Sequence, residues 1–142
     1  MYKSLPTNQK TFDLDVIGET SNEQHKGQFV CKCVLNIAER HEMELEKTRL
    51  SADYSNPSPG LAGIAAALAT IRVKIISGPA WWVDSDRGAK LLDENVLLAL
   101  FDAVNEKEQE WRDELNKRAT VAKEKNTARE AKKEAKKETP EE

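Results

Sequence analysis

The chain has 142 residues, of which 39% are hydrophobic and 33% charged, and its mean hydropathy is -0.68. No apolar run approaches the roughly 18 to 20 residues of a membrane-spanning helix, and the apolar residues are too concentrated for a wholly disordered chain. The net charge of -3 is divided: residues 117–142 carry nine Lys/Arg against six Asp/Glu, and residues 1–116 carry 13 against 19. An acidic body with a mildly basic tail is not the balance of a nucleic-acid-binding surface, which concentrates basic residues on one face. The length suits one domain of about 100 to 150 residues. The start, MYKSLPTNQK, has no apolar stretch behind its lysine, so no secretory leader is expected. Two cysteines do not make a disulfide framework, and a reducing cytosol is the expected compartment.

Residues 1–10 read as a flexible leader. Over residues 11–17, Phe12, Leu14 and Val16 alternate with Asp13 and Asp15, the period of a half-buried strand. Residues 18–26 are polar and read as a turn that includes His25. Residues 27–35 alternate again, with Phe29, Cys31 and Cys33 on one side, and complete a β-hairpin that needs something to pack against. Asn36 followed by Glu39 has capping-box spacing, so a helix is expected over 37–54. Residues 55–60 (SNPSPG) form a loop. Pro is tolerated in a first helical turn, and residues 61–76 (LAGIAAALATIRVKII) are apolar nearly all round, as in a buried or interfacial helix. The β-branched end, Ile71 to Ile76, is also compatible with a strand; the alanine-rich beginning favours helix through about Ile76. Trp81 and Trp82 follow Ser77-Gly78-Pro79 on an extended segment, and residues 83–90 form a polar loop. Asp93 can cap the last helix, with Leu92 and Leu97 placed for a hydrophobic staple. Leu97, Leu100, Phe101, Val104, Trp111 and Leu115 form its stripe. Residues 117–142 have no apolar face and form a charged tail, either a solvated helix or disordered. The expected fold is therefore α+β: an N-terminal β-hairpin packed on about three α-helices, over residues 11–116, followed by the tail.

Candidate chemistry is sparse. Cys31, Cys33 and His41 are the only soft-metal candidates, but a zinc site needs about four ligands; the plain reading of the cysteines is small hydrophobes beside Phe29. His25 and His41 belong to no recognisable catalytic motif, and there is no phosphate-binding glycine loop, nucleophile elbow or His-Glu-x-x-His. Gly60 and Gly63 read as turn and helix-packing residues. Glu39, Glu42, Glu44 and Glu46 read as a solvated helix face with i,i+4 pairing, or more sharply as a surface that attracts a basic partner. No catalytic, cofactor-binding or metal-binding residue is assigned. Trp81 and Trp82 diverge on an extended segment. Both can fill the core, or one can lie in a contact, since aromatic residues are enriched at interface centres. The candidate partner-binding set is Trp81, Trp82, Leu97 and Phe101.

The order of short motifs carries a resemblance: Phe12-Asp13-Leu14-Asp15-Val16-Ile17-Gly18-Glu19-Thr20, then Gly27-x-Phe29, an apolar helix, Ser77-Gly78-Pro79-Ala80-Trp81-Trp82, a short Gly-containing loop, and Leu92-Asp93-Glu94-Asn95-Val96. Over about residues 10–116 the chain resembles the tail assembly chaperones of tailed bacteriophages and prophages. The resemblance implies a non-enzymatic factor that needs no cofactor and coats the tape-measure protein in the host cytoplasm while tail-tube subunits polymerise around it. It implies absence from the finished virion, a longer frameshifted product in many members, and self-association, with no nucleic-acid or membrane partner. Two other readings stay open on the residues: a structural virion component, such as a minor tail or head-decoration protein, and a small prophage regulatory or inhibitor protein.

Overall fold

The computed structural model describes residues 5–51 and 59–137. It is α+β. β1 (Gln9–Ile17) and β2 (Gln24–Lys32) form an antiparallel hairpin in which Phe12 faces Phe29, their rings stacked at 5.2 Å. Alternation buries Phe12 and Leu14 and leaves Asp13 and Asp15 exposed. Both strands start earlier than their apolar alternation suggests. The turn is shorter than 18–26 because Gly18 N donates to Glu23 O and Asn22 N to Gly18 O, both at 2.9 Å, with Asn22 at φ 60°. His25 therefore lies in β2, not in a turn, and is buried on the core face of the sheet. The end of the leader is also tied down: the side chain of Asn8 both donates to and accepts from the backbone of Val34, and Trp111 Nε1 donates to Pro6 O at 3.2 Å.

α1 (Ile37–Ser51) begins with the expected reciprocal capping box: Asn36 N donates to Glu39 Oε1 at 3.0 Å, and Glu39 N to Asn36 Oδ1 at 2.8 Å. The expected end of this helix at 52–54, and residues 55–58 of the loop, lie outside the described residues. α2 (Pro59–Lys74) packs on α1 and buries Ala65, Leu68, Ala69 and Ile71. It stops at Lys74 rather than Ile76. Ile75–Ser77 forms β3, which pairs with β2 through Cys31 and Val30 across a register shift. The hairpin is thus two strands of a three-stranded sheet in the order β1-β2-β3. Pro79 cannot supply a helical N–H, and the edge of β2 offers β-branched Ile75 and Ile76 a ladder instead. The polar residues of α2 are anchored rather than merely tolerated. Lys74 pairs with Glu108 at 2.8 Å, and Arg72 with Glu46 at 2.7 Å.

α3 (Ala80–Asp84) is a short helix where an extended segment is expected. α4 (Glu94–Lys137) has 44 residues and a length of about 66 Å at 1.5 Å per residue. Val96, Leu97, Leu100, Val104 and Trp111 are buried along it. The expected staple does not form: Leu92 is 74% exposed, and Leu91 packs against the core in its place. Leu115 is half-buried, and every described side chain from Asn116 to Lys133 is exposed. The tail is helical as far as Lys137. Among the described residues no helix is long and apolar enough to cross a membrane.

Because no buried side chain follows Trp111 among the described residues, truncation after Lys117 is expected to leave the melting temperature within a few degrees of the full chain. Thermal unfolding followed by circular dichroism checks this; loss of the cooperative transition shows that the tail supports the body.

Candidate interaction surface

The start of α4 is held against the hairpin turn by one carboxylate. Asp93 O accepts from the N–H of Val96 and Leu97, as a cap position requires. Its side chain turns away from α4 and accepts from Thr20 N at 2.8 Å, Ser21 N at 2.9 Å and Ser21 Oγ at 2.6 Å. Asn95 completes the clamp: Nδ2 donates to Ile17 O, and Oδ1 accepts from Glu19 N. Gly18 is required for the close approach, since a Cβ there would lie 2.2 Å from the Asp93 carboxyl. The Ser21 hydroxyl, then the Ser21 and Thr20 amides and the nearby His25, hold the Asp93 carboxyl below the usual aspartate range.

His25 stands beside this clamp with Nε2 4.0 Å from Asp93 Oδ2. Its Nδ1 donates to Glu23 O at 3.1 Å, so that nitrogen carries the proton. Ser21, His25 and Asp93 are thus neighbours, but their order is wrong for nucleophile activation. Ser21 gives its proton to the carboxylate, and no hydrogen bond joins it to the imidazole that a relay would need as base. The cluster is a lock on a turn. Nothing local in the sequence shows it, because Asp93 lies 73 residues from Thr20.

The helical form of α3 separates its two tryptophans by about 100° around the axis rather than placing them on opposite sides. Trp82 points inward and is 2% exposed, with its ring edge-on to Phe29 at 5.9 Å. Gly78 and Gly88 leave room for it: a Cβ at either would approach a Trp82 ring carbon to 2.9 Å. Trp81 is half-buried on the rim, edge-on to Phe29 at 5.5 Å and His25 at 4.9 Å, and its Nε1 donates to Lys26 O at 3.0 Å. Of the four candidate residues, Trp82 and Leu97 (5% exposed) are core residues. Only Trp81 and Phe101 retain accessible surface. Phe101 lines a cleft of about 430 Å³ between α1 and α4 with Met43, Lys74 and Glu108, and Trp81 is not among its walls.

The sequence places α1 but does not show how shallowly it packs. None of its residues is buried, and Ile37 (86%) and Leu45 (56%) are largely exposed. Cys31 and Cys33 are both buried and free. Burial pushes the Cys31 thiol up to about 11 and raises Cys33 as well, so neither is a ready thiolate. Among the described residues no group of three or more His, Cys, Asp and Glu side chains is placed to hold a metal ion. Comparison with protein-family models, curated proteins and solved structures found no match.

Two predictions follow from these contacts. Asp93→Asn weakens the turn lock, and Gly18→Ala displaces the carboxylate sterically; each lowers the melting temperature by several degrees. A depressed folded pKa stabilises above the ordinary aspartate value of about 3.9, and that stabilisation is lost as pH falls toward the lower folded value. The gap between parent and Asp93→Asn therefore narrows on acidification, as thermal melts across pH 2 to 7 can read. Replacing both cysteines with Ala costs about 1–2 kcal/mol of packing and keeps the fold. Stoichiometric zinc in the parent, lost in the double variant, overturns the packing role.

Proposed function

We propose that the chain is a non-enzymatic tail assembly chaperone of a tailed phage or prophage, coating the helical tape-measure protein in the host cytoplasm and absent from the mature virion. The motif order over residues 10–116 supports this reading. The observation that carries it in the fold is the cleft between α1 and α4, walled by half-buried Phe101 and Met43. It is flanked by a helix that buries none of its own residues. An amphipathic helix docks in this way, placing one or two apolar anchors in a groove while its polar face stays wet. Arg112 and Glu108 bring both charge signs to the edge of the same cleft, while Lys74 is buried beneath in its pair with Glu108. Trp81 is a second anchor already restrained by its bond to Lys26, so binding costs it little further entropy.

The test titrates a helical segment of the tape-measure protein into the parent, Phe101→Ala and Trp81→Ala, with melts recorded beside each titration. Loss of a central anchor weakens binding by about tenfold or more, and Phe101→Ala is expected to do so while remaining folded. Parental affinity in both folded variants places the contact elsewhere. Mass spectrometry of purified particles separates the rival reading: a chaperone is missing, and a structural component is present in many copies.

A further inference from the structure

β1 leaves one edge of the sheet open. The strand order is β1-β2-β3, so β1 has a neighbour on one side only. Two main-chain bonds fix which of its groups face that neighbour. Gly18 N donates to Glu23 O beyond one end of the strand, and Cys33 N donates to Asn8 O beyond the other. Bonded pairs alternate along an antiparallel ladder, and the register runs unbroken from Gln9–Lys32 to Ile17–Gln24. Lys10, Phe12, Leu14 and Val16 therefore bond β2. Gln9, Thr11, Asp13, Asp15 and Ile17 turn their N–H and C=O groups outward. Ile17 O is taken on that side by Asn95 Nδ2. Among the described residues nothing bonds the outward groups of the other four.

An edge of this length is ordinarily blunted by Pro, a bulge, an outward lysine or a covering element. β1 has nine residues, no Pro and no break in register, and its one lysine, Lys10, turns to Glu110 and Glu114 on α4. Its protection is acidic charge. Asp13 and Asp15 are exposed. Among the described residues neither forms an ion pair, although Lys26 lies across from Asp15; Asp15 accepts only from Gln24 Nε2. Two β1 edges set antiparallel would bring these carboxylates together, and like charges directly opposite are destabilising. A basic strand meets no such penalty. Beneath the edge, α4 supplies a shelf. Gln9, Thr11, Lys107 and Glu110 wall a cleft of about 560 Å³. Ala103 and Ala99, both half-buried, precede Lys107 by one and two turns on the same side of the helix. Because the start of α4 is tied to the hairpin turn, these alanines lie toward the Asp13–Asp15 end of the strand.

We propose that the open edge of β1 receives an extended, basic segment of another protein as an added antiparallel strand. Residues directly opposite in an antiparallel pair share a face. Lys or Arg at alternate positions thus meets Asp13 and Asp15, and small apolar residues between them settle on Ala99 and Ala103. Main-chain bonds to Gln9, Thr11, Asp13 and Asp15 supply affinity, and the aspartates select the sequence. This edge is separate from the cleft between α1 and α4 and does not depend on the chaperone reading.

The experiment follows the backbone amides of the full chain by NMR and hydrogen exchange while a synthetic peptide of alternating lysine and valine, as long as β1, is added. In the free chain the amides of Thr11, Asp13 and Asp15 are expected to exchange about tenfold or more faster than those of Phe12 and Leu14. Equal protection means a covered edge and overturns the docking. The peptide is expected to shift and slow the outward amides. Asp13→Lys/Asp15→Lys, with melts recorded beside it, is expected to weaken binding about tenfold; parental affinity in the folded variant removes the selection for a basic strand. The same peptide N-methylated at the amides that meet β1 keeps its charge and is expected not to bind, a readout that stands even if the double variant unfolds. Unchanged amides at millimolar peptide, or equal binding of the N-methylated peptide, overturn strand addition. Outward amides that slow as the protein alone is concentrated place a second copy at the edge and overturn the basic partner.

Discussion

The Asp93 carboxylate is the contact on which the arrangement of sheet and helices turns. A two-stranded hairpin is marginal in water, and its turn has backbone donors that need acceptors. Asp93 supplies one acceptor group for the amides of Thr20 and Ser21 and the hydroxyl of Ser21. Its own carbonyl meanwhile opens α4. A single residue thus fixes where the longest helix starts relative to the turn. The inward faces of Phe12, Phe29, Leu100 and Val104 then come together in one core. Asn95 and Gly18 serve the same junction, one by bonding the backbone on either side of Gly18 and the other by having no side chain.

The glycines and prolines of the resemblance motifs find a physical reason in this packing. A Cβ on Gly27 would lie 2.6 Å from the Pro79 ring, and one on Gly78 would lie 2.8 Å from Phe29. The β2 segment, the Gly78-Pro79 bend and α3 therefore nest without side chains between them. Trp82 reaches the core only because these approaches are close. The same nesting holds Trp81 at the rim by its bond to Lys26.

What was legible in the sequence was periodic or local. Alternation revealed β1 and much of β2, the Asn36–Glu39 spacing revealed the start of α1, and the thinning apolar stripe revealed where α4 leaves the body. What was not legible depended on distant partners. Ile75 and Ile76 continue the helical pattern of α2 and become a strand only because β2 presents an edge. His25 looks like a turn residue until the turn closes at Glu23. Leu92 and Leu91 are equivalent in composition, and only the docking of the helix start decides which one packs. Of the four proposed contact residues, helical geometry in α3 sends Trp82 inward and packing on the sheet takes Leu97, while Phe101 and Trp81 keep exposed surface.

The bond from Trp111 to Pro6 spans 105 positions, and that from Asp93 to Thr20 spans 73. Both have a consequence for synthesis on the ribosome. The hairpin is synthesised well before the groups that close its turn and cover its beginning. For much of elongation the nascent chain exposes Phe12, Phe29 and two cysteines without their cover, and long-range closure of this kind is slow relative to local helix formation. The nascent chain thus passes through an interval in which its apolar strand faces are open to non-native contacts.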